Sequence, residues 1–186
     1  KMSKFYTKLT SRVQKFIKAQ KMFFVGSAPL GGDGLINISP KGLDTFRILD
    51  NKTVAYLDLT GSGIESIAHI KENGRFVIMF CSFDEKPLIL RLHGTAQVIE
   101  NSDNDWPSLA EKFSIMDGAR AIIKLDIQRI ADSCGWGVPK YDYLEERTQY
   151  PKFAEQIGDD GLRNAQLAVN MKSLDGLPGL SKPSVE

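Results

Sequence analysis

Histidine and cysteine each occur only twice in the 186 residues, and that scarcity limits the chemistry on offer. His69 and His93 share no metal-ligand spacing, and no CxxC pair exists, so a zinc site has no ligand set to draw on. Cys81 and Cys134 are too few for a disulfide framework, and Cys81 lies in the apolar run "RFVIMFCSF", where a buried inert thiol is expected. Charge of either sign is also lacking in excess: Lys and Arg number 24 against 23 Asp and Glu, a net charge of +1. Such a balance makes no long-range field to gather nucleic acid or an anionic membrane surface, and neither partner is indicated. No uninterrupted apolar run approaches the roughly 18 residues of a membrane span. The first residues, "KMSKFYTKLTSRVQKF", lack the apolar core of a signal peptide, so a cytoplasmic protein is expected.

What is present is a hydrophobic content of 42%, enough for one domain over residues 1–186 with a sizeable core. Phe5, Leu9, Val13, Phe16 and Ile17 recur at helical spacing and predict an amphipathic helix over 3–20. After it, "MFFVGSA" (22–28), the turn "PLGGDG" and "LINIS" (35–39) read as a β-hairpin. "TVAYLDL" (53–59), "RFVIMFCSF" (75–83), "LILRLHGTAQVIE" (88–100) and "IIKLDIQRI" (122–130) read as further strands. Arg91 and His93 fall on one side of the third of these, opposite Leu90 and Leu92. About six strands with short helices between them predict a mainly β or α+β fold, an antiparallel sheet closed into a barrel that leaves no free edge.

Beyond residue 131 the periodicity fades. "ADSCGWGVPKYDYLEERTQYPKF" carries aromatics, Gly and Pro, and "GDDGLRNAQLAVNMKSLDGLPGL" is partly helical in pattern. This segment, 131–186, packs either on its own barrel or on a second subunit.

One short stretch suggests a ligand. In "TGSGIES" (60–66), Ser62 and Glu65 have capping-box spacing, Ile64, Ile67 and Ala68 form an apolar stripe, and "NG" at Asn73 and Gly74 is a stop signal, predicting a helix over about 63–73. Its leading N–H groups, with the hydroxyls of Thr60, Ser62 and Ser66, would make an anion cradle; the same residues also suit simple capping. The stretch is neither a Walker loop, for want of the Lys, nor a dinucleotide GxGxxG.

Taken in order, "FVGSAPLGGDGLINISPKG" (24–42), "VAYLDLTGSGIESIAHIKENGRFVIMF" (54–80) and "LRLHGTAQVIE" (90–100) resemble the FMN-binding split-barrel proteins similar to pyridoxamine 5'-phosphate oxidase. The resemblance implies a six-stranded antiparallel split β-barrel, a homodimer, and FMN at the subunit interface. It also implies an oxidoreductase passing hydride between a small-molecule substrate and the flavin, or a non-catalytic flavin- or haem-binding dimer; a deazaflavin fits the same outline. Carried over position by position, Asn37, Ser39 and Lys41 match the strand beside the flavin and its phosphate, with Lys41 the phosphate partner or else a solvated turn lysine. Asp58, Thr60, Ser62 and Ser66 match the polar strand end and helix start. Where the oxidase has an Arg–Lys pair at that helix start, this chain has Glu65 and Ser66. Arg91 either supplies the missing charge or forms a surface ion pair, and Trp136 either faces the flavin or plugs the dimer interface. Cys134 reads as structural, and His69 and His93 as surface or cofactor-edge residues. The oxidase's C-terminal Arg-Leu-His motif has no counterpart here, because "RLH" at Arg91–His93 lies in a middle strand, which puts the vitamin substrate in doubt.

Overall fold

A computed structural model describes residues 4–185. Its centre is one antiparallel sheet whose path runs β3 (Asn37–Lys41), β2 (Phe23–Ser27), β6 (Arg75–Cys81), β7 (Ile89–Ile99), β8 (Ala119–Ser133), β5 (Thr53–Leu59) and β4 (Phe46–Ile48). A two-residue strand, β1 (Phe5–Tyr6), pairs with the far end of β8. The four helices are α1 (Ser11–Ala19), α2 (Glu65–Asn73), α3 (Trp106–Ala110) and α4 (Gln149–Val169), the last broken at Gly158 (φ 61°, ψ −173°). No helix among the described residues is long and apolar enough to cross a membrane.

The sheet curls until its two end strands approach, but no ladder joins β3 to β4. Rings close the gap instead: Phe46 of β4 meets Phe23 at 5.2 Å and Phe80 at 5.1 Å, both edge-on. The architecture is therefore the split barrel that the resemblance implies, with eight strands rather than six. The barrel interior holds Val25, Val54, Tyr56, Ile78, Leu90, Leu92, Ile123 and Leu125, and α1 caps it with Val13 and Ile17. A second cluster, Ala55, Leu57, Ile99, Phe113 and Ile122, lies on the outer face of β5 and β8 under α3. Strands covered on both faces lose the in-out alternation, which is why Ala121, Ile122 and Ile123 are all fully buried.

Predicted and observed elements agree closely in the middle of the chain. β5 spans 53–59 as expected, and the hairpin forms with Phe23 opposite Lys41. The N-terminal helix is shorter than predicted, because residues 5–6 are drawn into the sheet opposite Ala131 and Ile130. Thr10 then caps α1, its hydroxyl accepting from Val13 N at 3.4 Å. Helix α2 ends at Gly74, whose φ of 71° gives the left-handed cap that "NG" announced. The β7 register shifts between His93 and Gly94, and a Cβ at Gly94 would lie 2.0 Å from the Asp126 carbonyl oxygen. Only glycine lets the two backbones approach so closely.

Candidate functional site

At the C-terminal end of β5 the chain leaves the sheet and enters α2, and the last inward residue of that strand is Asp58, fully buried. A buried carboxylate requires partners. It has two: Lys41 Nζ of β3 bonds Oδ1 at 2.7 Å, and Arg120 Nε of β8 bonds Oδ2 at 2.8 Å. Burial alone would push the Asp58 carboxyl up, but the Arg120 guanidinium and the Lys41 ammonium outweigh it and hold the pKa at about 2. Two cations on one carboxylate leave a local surplus of positive charge.

In front of this triad lies a cavity of about 190 Å³, with Lys41 and Arg120 on one wall and the loop Gly61–Ser62–Gly63 and the start of α2 on the other. At about 30 Å³ per water, it has room for a phosphate-sized group. The Arg120 side chain is only 5% exposed, and among the described residues nothing bonds its Nη1. A buried guanidinium N–H without an acceptor is costly, and an anionic oxygen in the cavity would satisfy it. Helix α2 starts at Ile64 without a side-chain cap, so its leading N–H groups and positive dipole end face the same space.

The expected capping box does not form. Ser62 stays in the loop, and Glu65 Oε1 instead accepts a bond from Leu174 N at 3.2 Å. Thr60 is committed elsewhere, donating Oγ1–H to the Gly118 carbonyl at 2.8 Å and accepting from Gln166 Nε2 at 2.7 Å, and it does not line the cavity. Asp58 sits behind the cations rather than in the cavity wall. Asn37, Ser39, Lys41, Ser62 and Ser66 are brought together there. Asn37 is their hub: Nδ2 donates to Ser66 Oγ at 3.0 Å, and Oδ1 accepts from Ser39 Oγ at 3.1 Å.

Asn37 also borders a broader, more apolar cleft of about 530 Å³ on the outer face of β3, β2, β6 and β7. Phe24, Ile36, Ile38, Val77 and Met79 supply its apolar surface, with Arg91 and His93 at one side. Arg91 is thus away from the small cavity, bonding Ser133 Oγ at 3.1 Å, and the second cation that sequence reading sought there is Arg120. Trp136 is 75% exposed and borders neither cavity. His69 proves to be fully buried rather than at a surface, its Nδ1 2.9 Å from Ser27 Oγ. Burial depresses its pKa against the pull of the Asp175, Glu65 and Glu72 carboxylates, so the ring is neutral at pH 7. Cys81 is buried, and burial raises its thiol pKa despite nearby Arg91, which leaves it unreactive as expected.

Arg120 was missed, although the sequence held a signal for it. An arginine in the apolar run "ARAIIKL" and an aspartate in "VAYLDL" are each costly alone, and neighbouring strands let them meet.

A family model described as pyridoxamine 5'-phosphate oxidase matches residues 9–134. The chain belongs to the pyridoxamine 5'-phosphate oxidase family. It is 43% identical over 193 residues to the pyridoxamine 5'-phosphate oxidase family protein ustO of Aspergillus flavus, covering 95% of this chain and 77% of that protein. Among solved structures, a variant of HupZ from Group A Streptococcus is similar in fold at a TM-score of 0.54 and 24% identity, over 67% of this chain and 99% of that one. A Lactobacillus delbrueckii protein described as a candidate pyridoxamine 5'-phosphate oxidase matches with a TM-score of 0.52 and 21% identity, over 67% of this chain and 94% of that one. Both structural matches leave about a third of the chain uncovered.

Proposed function

We propose that this member of the oxidase family binds FMN and transfers hydride between a small-molecule substrate and the flavin. The observation that carries the reading is the unpaired Nη1 of buried Arg120, set beside Lys41 and the uncapped start of α2 in a phosphate-sized cavity. That cavity shares Asn37 with the apolar cleft, so one ligand with an anionic tail and a planar apolar head can occupy both. FMN has that shape, and its ring supplies the redox chemistry when bound. The protein's own part is to hold the phosphate with Lys41, Arg120 and the α2 amides. Asn37 and Ser39 fix the strand that borders the head, and apolar side chains exclude water from it.

A second copy of the chain completes the site in this reading. Ile36 and Ile38 are 77% and 72% exposed beside the cleft, an apolar ridge that a homodimer would cover while burying the flavin head. The two unpaired cysteines suit a reducing compartment, in keeping with work in the cytoplasm.

Titrating FMN into the apoprotein should quench flavin fluorescence and turn the protein yellow. Lys41→Ala should weaken binding about tenfold or more, as loss of one charge-assisted phosphate contact requires. An affinity for FMN no better than for riboflavin would sink the phosphate assignment. A haem-binding reading is the second, favoured by one observation: His93 borders the apolar cleft with its imidazole reachable, and partial desolvation with the neighbouring Arg129 and Arg91 shifts its pKa down, towards the neutral ring that ligates. A red-brown protein whose Soret band is lost in His93→Ala would replace the first reading with this one.

A further inference from the structure

The segment after residue 134, outside the stretch matched by the family model, reaches back to the cavity from behind. Gln166 of α4 is fully buried, and its amide is spent at both ends. Its Nε2 donates to Thr60 Oγ1 at 2.7 Å and to Ser184 Oγ at 2.8 Å, and its Oε1 accepts from Ser184 N at 2.7 Å. One turn further on, Asn170, also fully buried, donates Nδ2 to the Gly61 carbonyl at 2.9 Å. Leu174 N then bonds Glu65 Oε1 at 3.2 Å. Three contacts from residues 166–174 thus land on Thr60, Gly61 and Glu65, successive points of the loop that walls the cavity.

The contacts are held from outside as well. After residue 174 the chain turns back, Leu180 N bonding the Asn170 carbonyl at 2.9 Å, and Leu180 is buried in the main core. Ser181 N and Oγ then both bond the Glu100 carboxylate at 2.9 Å. Near the start of the segment Tyr150 Oη donates to the Gly118 carbonyl at 3.4 Å, so residues 149–185 form a belt tied down towards both ends, with the cavity loop beneath its middle.

What the belt fixes bears directly on an anion. Gly61 and Gly63 leave the loop conformationally free unless something restrains it. Among the described residues Glu65 is the one carboxylate bordering the cavity, and an anion there would be repelled by it. Its bond to Leu174 N holds that charge against the belt.

We propose that Gln166, Asn170 and the Leu174 amide are positioning residues for the anion cavity. The belt holds the loop 60–65 in the shape that admits a phosphate, and a bound phosphate in turn holds the belt down. This rests on the FMN reading above, and the coupling must be equal in both directions.

Three full-length proteins test it: the natural chain, Gln166→Met and Asn170→Leu, the last removing the donor to Gly61 without adding a charge near the cavity. Backbone amide exchange is followed without ligand, and affinities are measured for FMN and for riboflavin, which lacks the phosphate. In both variants exchange at 60–66 should rise about tenfold while β6 and β7 keep their protection. The preference for FMN over riboflavin should fall about tenfold with riboflavin affinity nearly unchanged, within the range of ordinary coupling energies. In the natural chain FMN, but not riboflavin, should slow exchange across 166–174. Equal loss of both flavins, or unchanged exchange at 60–66, would overturn the proposal by showing that the belt only supports the fold. Should the natural chain bind neither flavin, the cofactor reading falls, and the exchange data alone decide whether the belt sets the loop. Should Gln166→Met fail to fold, Asn170→Leu carries the same test through its separate bond.

Discussion

Two buried carboxylates with lysine partners serve different ends in this molecule. Glu100 meets Lys71 Nζ at 2.6 Å and Ser181 N and Oγ, each at 2.9 Å. Lys71 in turn bonds Ser181 Oγ and the Gly179 carbonyl. Every donor of that ammonium has an acceptor, so the cluster can take no further ligand. Asp58 also has its cation partners, Lys41 and Arg120, but there a guanidinium N–H is left over and opens on a cavity. A saturated polar cluster fastens chain segments together; one with unspent capacity beside a void is built to receive something.

The contrast can be broken most severely at Asp58. Asp58→Asn leaves two cations facing each other with no counter-charge, and unfolding free energy should fall by about 3–5 kcal/mol, read by urea titration. Acid offers a milder version of the same change. Because the folded pKa of Asp58 lies below its unfolded value, its contribution is complete above about pH 5 and is lost as pH falls through about 2, at most about 2–3 kcal/mol. Denaturant curves on the natural chain at pH 5 and pH 2.5 should therefore differ by more than those of a variant already lacking the charge. At the saturated cluster, Lys71→Met should lower stability by about 1–2 kcal/mol through the acceptors it strands, and should lower FMN affinity by less than Arg120→Lys does, because it reaches the cavity only through the belt that the cluster fastens. The smallest stability change belongs to Arg120→Lys, which keeps the charge but not the forked donors. It should cost about 1 kcal/mol or less, while FMN affinity falls about tenfold. Affinity changes of equal size in the last two proteins would erase the distinction between the clusters.

The sequence made the barrel legible wherever a strand had its own signal. "TVAYLDL" became β5 residue for residue, and the turn at Asn73–Gly74 ended α2 as its chemistry required. The count of strands fell short because β1 and β4 span only two and three residues, too few for any period to show. Strand patterns alone point to a closed barrel, and the split came only from the family resemblance, because what spans the opening is side chains from distant strands, Phe46 of β4 against Phe23 of β2 and Phe80 of β6. At the site, the family resemblance pointed to Lys41 and the local pattern to Ser66, but that pattern misread Glu65, whose spacing from Ser62 suited a cap. Its actual partner, Leu174, is 109 residues away and carries no local mark. The same distance hid Gln166 and Asn170, whose roles follow from where the chain returns and not from any motif.

The unlaced side of the barrel rests on few ties. No ladder joins β3 to β4; what spans the opening is the Lys41–Asp58 ion pair at 2.7 Å and the ring of Phe46 against Phe23 and Phe80. Parting that seam would leave every ladder whole and cost that ion pair and those ring contacts. Whatever loosens Lys41 from Asp58 therefore loosens the barrel where it is least stitched.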